Sequence, residues 1–277
     1  MLNVLNLLLP FGLSAPVKLL HAGDTHLVYA DERDDERKNV LAAKRARTFP
    51  NAAEYLEEIG KIASDEGRLI VHSGDLIDFV SVKNLEAAKA FTNAHDCFLA
   101  AGNHEFSQYV GEAVEDEAYR NQSLAKVQAA FKNDIRMASR EVGGLLLVAL
   151  DNGYYRFDEA QLKFLKSECA RGLPVILILH TPLYTPWLHD FMLNVRKAEC
   201  GYLCGTPEGE MGAYSRMRFL QQLPDETTLE ACRFIDESPA IRCLLTGHIH
   251  VDVICPLGSG KMQYSIGLDS VARVTVY

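Results

Sequence analysis

Five short fragments of this chain carry aspartate, asparagine and histidine residues at spacings that could bind metal ions. Each fragment directly follows an apolar run, and four of them have a glycine nearby. Mixed carboxylate, amide and imidazole ligands suit borderline divalent metals such as manganese, iron, zinc, cobalt or nickel. The absence of cysteine ligands disfavours a closed structural zinc site. The five fragments are Asp24-Thr25-His26, Asp75-Leu76-Ile77-Asp78, Asn103-His104-Glu105, His180 and His248-Ile249-His250.

The apolar runs predict β-strands that would bring these fragments together. Amphipathic helical segments such as Asn51–Ser64 and Val82–Asn93 lie between them, an alternation typical of α/β proteins. In open α/β sheets, binding sites form outside the carboxyl ends of the strands, so we expect all five fragments at one edge. The glycines would let the backbone turn sharply, so that the side chains point into one cavity. The predicted strands are Val17–Ala22, Arg68–Ser73, Cys97–Ala101, Pro174–Leu179 and Ile241–Leu245.

The order of these motifs resembles that of the calcineurin-like metallophosphoesterase superfamily. The shared series is Asp-x-His, Gly-Asp-x-x-Asp, Gly-Asn-His-Glu, His and Gly-His-x-His, and it spans residues 24 to 250. The resemblance implies an α/β fold in which a two-sheet β-sandwich is flanked by helices in four αββα layers. It also implies a single domain over residues 1–277. The irregular, Gly- and Pro-containing segment at about 181–224 would be a lid-like element over the site.

The resemblance further assigns a role to each polar residue of the motifs. Asp75 would bridge two divalent metal ions. His104, oriented by Asp78, would stand next to the scissile phosphate as a catalytic residue, although Asp78 could instead simply stabilise a turn. Glu105 would support the metal ligands from behind or be structural. The other ligands would form two sets of three, namely Asp24, His26 and His250 for the first ion and Asn103, His180 and His248 for the second.

This assignment predicts a phosphoesterase in which a metal-bridging hydroxide attacks phosphorus in line. The substrate would be a small phosphorylated or nucleotide-like molecule, either a monoester or a diester. The motifs are similar to those of the cyclic-nucleotide phosphodiesterase branch, which makes a cyclic nucleotide-like diester the sharper prediction. Two more residues are candidates for substrate contact. Asn152 could touch the substrate or simply make a turn, and His189 could touch it or pack within its own loop.

Two other functions remain open at this point. One is a protein phosphatase, although such enzymes usually carry arginine after the second aspartate of Gly-Asp-x-x-Asp, where this chain has Phe79. The other is a non-catalytic scaffold that uses the metal-binding edge to hold a partner. Such scaffolds usually lack some ligands or the catalytic histidine, whereas this chain has the full set.

Composition and charge narrow the range of partners. The chain has 28 basic and 37 acidic residues, and the resulting net charge of −9 argues against a nucleic-acid partner. No apolar stretch approaches the roughly 20 residues of a membrane span, so no membrane partner is expected. Seven scattered cysteines predict reduced, mostly buried thiols in a cytoplasmic protein.

Three further segments carry structural predictions. Asn3–Leu9 is predicted to be a first strand rather than part of a cleaved signal, because Pro10 breaks the apolar run and no basic residue precedes it. Ser107–Phe131 is predicted to be a long helical stretch with a break near Gly111. The charged segment Asp31–Arg47 is predicted to be a solvated helix or loop, with a substrate-binding rim as the alternative.

Overall fold

The strands form two β-sheets in a computed structural model that describes residues 2–112 and 114–277. The first sheet has three adjacent parallel strands that carry three of the five fragments at their carboxyl ends. The predicted first strand is confirmed, and it pairs in parallel with the last strand of the chain. The order in this sheet is β1 (Asn3–Leu9), β11 (Ser270–Val276), β2 (Val17–Ala22), β3 (Leu69–His72) and β4 (Cys97–Leu99).

The second sheet supplies the other two fragments. Its four central strands are parallel, and one antiparallel strand lies at each edge. The order is β5 (Met137–Val142), β6 (Leu145–Leu150), β7 (Val175–Ile178), β8 (Ile241–Thr246), β10 (Met262–Ser265) and β9 (Val253–Pro256).

The helices cover the outer faces of both sheets and connect the strands. α2 packs its apolar face on the first sheet, and α6 and α9 pack on the second. None of the described helices is long and apolar enough to cross a membrane. The helices are α1 (Glu36–Arg45), α2 (Ala52–Glu66), α3 (Val82–Ala94), α4 (Glu117–Asn121), α5 (Leu124–Gln128), α6 (Glu159–Cys169), α7 (Pro186–Asp190), α8 (Arg216–Gln222) and α9 (Glu226–Glu237).

Strand β6 shows why the apolar runs form buried strands. Leu145 and Leu147 pack between the two sheets, whereas Leu146 and Val148 pack under the outer helices. Alternate side chains of a strand point to opposite faces, so a strand buried on both faces needs a continuous apolar sequence. The predicted four-layer αββα sandwich is therefore confirmed.

Three further segments carried sequence-based predictions, and the structure differs from the prediction in two of them. The helical stretch predicted over Ser107–Phe131 is much shorter in the structure: two short helices form there, α4 and α5, and Ala113 lies outside the described residues. Gly111 has a φ of +92°, a left-handed conformation that interrupts a helix, in agreement with the predicted break. The segment 181–224, predicted as irregular, contains α7, a π-helical turn and α8. The charged segment forms α1, one of the two predicted alternatives.

Candidate metal centre

The five fragments meet at one edge of the sandwich, where loops leave the carboxyl ends of β2, β3, β4, β7 and β8. Five of their residues adopt left-handed backbone conformations that non-glycine residues rarely take. Such strain persists only where surrounding structure enforces it, and it is concentrated at functional sites. The five are Asp24 (φ 51°), His26 (φ 51°), Asp75 (φ 56°), His248 (φ 68°) and His250 (φ 55°).

The glycines of the motifs act differently from the prediction. Gly74 does take a positive φ of +96°, but elsewhere the sharp turns fall on the polar residues themselves. Gly102 is required by close approach, because an added Cβ would lie 2.2 Å from Asp75 Oδ1. A Cβ on Gly247 would likewise lie 2.6 Å from Asp24 Oδ2. These glycines let neighbouring loops touch where their side chains converge.

The first group of converging side chains consists of Asp24, His26 and His250. The Nε2 atoms of the two histidines are 3.2 Å apart. Asp24 Oδ1 lies 3.9 Å from His26 Nε2 and 3.6 Å from His250 Nε2. Because ligand atoms lie about 2.0–2.2 Å from a bound zinc ion, such spacings are compatible with one shared cation.

The second group consists of Asn103, His180 and His248. His180 Nε2 lies 3.2 Å from Asn103 Oδ1 and 3.0 Å from His248 Nδ1. His180 donates a hydrogen bond from Nδ1 to the Ser73 carbonyl at 2.8 Å. That bond leaves the Nε2 lone pair of a neutral His180 directed at the other two side chains, the arrangement expected of a metal-binding histidine.

Asp75 lies between the two groups. Its Oδ2 atom is 3.7 Å from His26 Nε2 and 3.2 Å from His180 Nε2. Its Oδ1 atom instead accepts a 2.8 Å hydrogen bond from the His104 backbone amide. A single carboxylate oxygen thus faces both groups, while the second oxygen fixes the side chain.

The converging side chains place several lone-pair-bearing oxygen and nitrogen atoms close together, and this arrangement favours added positive charge. Burial raises the pKa of Asp24 to about 8. Burial lowers the pKa of His180, but the adjacent Asp75 carboxylate raises it more strongly, to about 9. These groups therefore hold protons at neutral pH that divalent cations can replace. The residues present fit a metal centre on this ground.

A layer of hydrogen bonds fixes the rings behind the converging atoms. Tyr155 Oη pairs with His248 Nε2 at 2.8 Å, which directs Nδ1 of that histidine toward His180. Glu105 accepts hydrogen bonds from the backbone amides of Gly102 and Asp75 at 2.7 and 2.8 Å. It thereby ties the β3 and β4 loops together, in line with its predicted structural role.

His104 stands at the edge of this centre, with its side chain 17% exposed. Its Nδ1 donates to the Asp78 carbonyl at 2.6 Å and lies 3.2 Å from Asp78 Oδ1. Burial lowers the pKa of His104, but Asp75 and Asp78 outweigh burial and raise it to about 10. The ring can therefore carry a proton that a departing oxygen could receive.

Asp78 is buried and contacts more than His104. Its Oδ1 accepts a 3.0 Å hydrogen bond from His26 Nδ1, and Arg45 binds both of its oxygens. Burial opposes ionisation, but the hydrogen bonds from Arg45, His104 and His26 lower the pKa of Asp78. The carboxylate is therefore ionised and shared between the two histidines.

A cavity of about 510 Å³ opens beside the centre. Asp75, His104 and His248 form one part of its wall. The segment 181–224 contributes another part, which is both apolar and basic. The residues of that segment that line the cavity are Met192, Arg196, Ala198, Tyr202, Met217, Arg218 and Gln221.

The two residues predicted as candidates for substrate contact lie elsewhere. Asn152 is fully buried, and its Oδ1 accepts hydrogen bonds from the backbone amides of His180 and Thr181, each at 3.0 Å. His189 is also buried and pairs through Nε2 with Tyr214 Oη at 2.9 Å. Both side chains support the loops around the centre, and neither lines the cavity.

Sequence reasoning missed three residues that contact the predicted site residues: Arg45 contacts Asp78, Phe49 contacts His26, and Tyr155 contacts His248. Arg45 belongs to a charged segment with no motif, Phe49 lies just beyond that segment, and Tyr155 follows β6 without a recognisable pattern. A left-handed conformation at Tyr155, with φ of 61°, is visible only in the structure. The one available sequence signal was the position of Asp151-Asn152-Gly153 after a predicted strand.

Comparison with known proteins places these motifs in context. The sequence model of the family described as calcineurin-like phosphoesterase matches residues 17–252. A dimetal phosphatase from Danio rerio is 15% identical, with 91% of this chain and 88% of that chain covered and a TM-score of 0.50, a likeness of fold. A 5′-nucleotidase from Candida albicans is 14% identical, with 96% of this chain but only 47% of that chain covered and a TM-score of 0.46. No curated protein matches the sequence.

Proposed function

Because this chain belongs to the calcineurin-like phosphoesterase family, we propose that it hydrolyses phosphoesters with two divalent metal ions. The observation that carries the proposal is the position of Asp75 Oδ2, within 3.7 Å of His26 Nε2 and 3.2 Å of His180 Nε2. Such an oxygen can belong to two neighbouring coordination shells. Asp24, His26 and His250 would hold one ion, and the second group of side chains would hold the other.

When bound, the two ions supply Lewis acidity toward phosphate oxygens and an activated water at neutral pH. The protein supplies the orientation of the reacting groups. Asp75 and Asp24 provide negative charge between and beside the cations. Asn103 provides a neutral ligand, which leaves the centre net positive and receptive to phosphate.

His104 would act on the substrate rather than on the metals. Its Nδ1 is occupied by Asp78, so Nε2 is the atom available toward the cavity. A protonated ring there can stabilise a phosphate oxygen and give its proton to the departing alkoxide. Asp78 holds the ring in the tautomer and orientation that this role requires.

The substrate would be a small phosphorylated or nucleotide-like molecule, with a cyclic phosphodiester as the sharper alternative to a monoester. The 510 Å³ cavity is of a size that accommodates such a ligand. The segment 181–224 would cover the non-reacting part of the substrate in a lid-like manner. Asn152 and His189 would support these walls instead of contacting the substrate.

A reducing compartment such as the cytoplasm is consistent with the state of the thiols. All seven cysteines lie in the described part of the chain, and each is free of a disulfide.

A substrate panel tests the proposal. Purified protein loaded with Mn²⁺ should hydrolyse p-nitrophenyl phosphate, bis(p-nitrophenyl) phosphate or a cyclic nucleotide at a rate that EDTA abolishes. The panel also includes a phosphopeptide, and its preferential turnover would favour the protein-phosphatase alternative. Metal binding without turnover of any substrate would favour the non-catalytic scaffold.

Asp75→Asn tests the bridging role within the same assay. Replacing one oxygen by an amide removes negative charge between the cations, so turnover should fall below detection, with less metal retained by elemental analysis. Asp96→Asn is the matched control, because Asp96 is exposed and forms an ion pair with Arg140 far from the proposed ligands. Undiminished turnover by Asp75→Asn would contradict the bridging role.

A further inference from the structure

Helix α1 lies outside the sandwich, yet its last residue reaches into the metal centre. Arg45 donates from Nε to Asp78 Oδ2 at 2.7 Å and from Nη2 to Asp78 Oδ1 at 2.8 Å. The Arg45 side chain is 20% exposed, whereas the Asp78 side chain is fully buried. This two-point contact is the strong, geometrically specific form of an arginine–carboxylate pair.

The same turn of chain makes a second contact with the centre. The Phe49 ring stacks on the His26 ring, with centroids 4.2 Å apart and an interplanar angle of 3°. The Arg45 guanidinium carbon lies 4.8 Å from the centre of the Phe49 ring. Arg45, Phe49, His26 and Asp78 thus form a closed ring of contacts, which we call the Arg45 clamp.

One atom of the clamp connects it to His104. Asp78 Oδ1 lies 2.8 Å from Arg45 Nη2, 3.0 Å from His26 Nδ1 and 3.2 Å from His104 Nδ1. Two histidines with different roles therefore depend on the position of one oxygen. The planar guanidinium fork fixes the plane of the carboxylate, which a single contact would leave free to rotate.

We propose that Arg45 is a positioning residue that, through Asp78, sets the orientation of both His26 and His104. The inference rests on the proposed function, in which His26 binds a metal and His104 faces the leaving group. The proposal gives helix α1 a role in orienting the site residues in addition to its packing. Lysine at position 45 would keep the positive charge but lose the two-point contact with Asp78. Comparing the lysine and alanine variants therefore separates the effect of charge from the effect of orientation.

The test uses Arg45→Ala, Arg45→Lys and the control Lys44→Ala, an exposed neighbour in the same helical turn. With Mn²⁺-loaded protein, kcat for phenyl phosphate should fall about 100-fold in Arg45→Ala, and kcat for p-nitrophenyl phosphate only about tenfold. The better leaving group needs less help from His104, so the two losses differ. KM should change by less than about threefold, and Arg45→Lys should recover only a small part of kcat.

Two further readouts separate positioning from a purely structural role. Added guanidinium ion in the millimolar range should partly restore kcat in Arg45→Ala, and it should have no such effect on Lys44→Ala. Calorimetric titration of metal-free protein with Mn²⁺ should show one of the two ions bound about tenfold more weakly in Arg45→Ala.

Equal losses for both phenolic substrates, no rescue by guanidinium and unchanged Mn²⁺ binding would overturn the proposal. The outcome is distinguishable from failure of the proposed function. If the unmodified protein hydrolyses no phosphoester but Arg45→Ala still weakens Mn²⁺ binding, the positioning role of Arg45 toward His26 is supported and the proposed hydrolase function is contradicted. If the unmodified protein is active and Arg45→Ala matches it in every readout, the clamp alone is wrong.

Discussion

His104 differs from His26 and His180, two of the proposed metal ligands, in the surroundings of its ring. His26 and His180 each donate a hydrogen bond from Nδ1 to a fixed acceptor, and the Nε2 atom of each ring faces other proposed ligands. His104 also spends Nδ1 on Asp78, but it lines the cavity and is partly exposed. In the proposed function His104 acts on the substrate, whereas His26 and His180, which do not line the cavity, would hold cations.

His104→Ala should therefore lower kcat without removing the metals. We expect a loss of about 10²–10⁴-fold, the usual contribution of a positioned general acid. Metal content measured by elemental analysis should match that of the unmodified protein. His95→Ala is the control, since His95 lies at the opposite end of β4, next to α2. Loss of both ions from His104→Ala would show that His104 is a ligand.

The seven proposed ligands could be named from sequence because their motifs resemble those of a known family and each motif follows an apolar run that predicts a strand. Their positions relative to the strands fix which edge they reach, whatever the details of the loops. Arg45 could not be found in this way. Its partner Asp78 is 33 residues away on another element, and a charged helix gives no sign of which arginine turns inward.

At the scale of elements, the bounds of strands were predicted correctly where an apolar sequence has to be buried. The bounds of β1 and β2 match those predicted, because an apolar run of this length bounded by polar residues or proline is typical of a strand. The prediction was less accurate over Ser107–Phe131, where a long helical stretch with a break near Gly111 was expected and only two short helices form. Gly111 is left-handed, as the break requires, and Asp116 begins α4 by accepting a hydrogen bond from the Tyr119 amide.

The segment 181–224 carries a prediction about specificity. Within residues 2–112 and 114–277, the cavity-lining Arg196 side chain has no ion-pair partner, whereas Arg218 pairs with Glu199. Arg196→Ala should raise KM by up to about fivefold for a nucleoside bisphosphate and leave KM for the corresponding monophosphate nearly unchanged, because one exposed charge pair contributes up to about 1 kcal/mol.

Arg216→Ala is the control for this experiment, because Arg216 is exposed in the same segment but does not line the cavity. Steady-state kinetics on the two substrates give the comparison. Equal effects of the two alanine substitutions on KM would remove any special role for Arg196 and weaken the lid-like assignment of its segment.

At the scale of the whole molecule, the ligands come from both sheets. Asp24, His26, Asp75 and Asn103 follow strands of the first sheet, and His180, His248 and His250 follow strands of the second. Bound cations should therefore stabilise the packing of one sheet on the other as well as the site. This coupling makes metal binding measurable through unfolding.

Mn²⁺ at 100 times its dissociation constant should stabilise the folded protein by about 2.7 kcal/mol for each site. The corresponding rise in Tm is roughly 2–4 °C per kcal/mol for domains of 150–250 residues, and slightly less for a longer chain. Differential scanning calorimetry with Mn²⁺ or EDTA gives the measurement. The rise should shrink in Asp75→Asn and persist in Asp96→Asn; an identical rise in both variants would place the bound Mn²⁺ elsewhere.

Each proposed ion has ligands on both sides of the interface between the sheets, so their relative placement is itself a determinant of reactivity. A sliding movement of a few tenths of an ångström, too small to disturb the apolar interior, would alter both coordination polyhedra together. Substitutions far from the cavity that shift this alignment should thus behave like active-site mutations. The rigidity of the sandwich would therefore be a condition for the proposed activity.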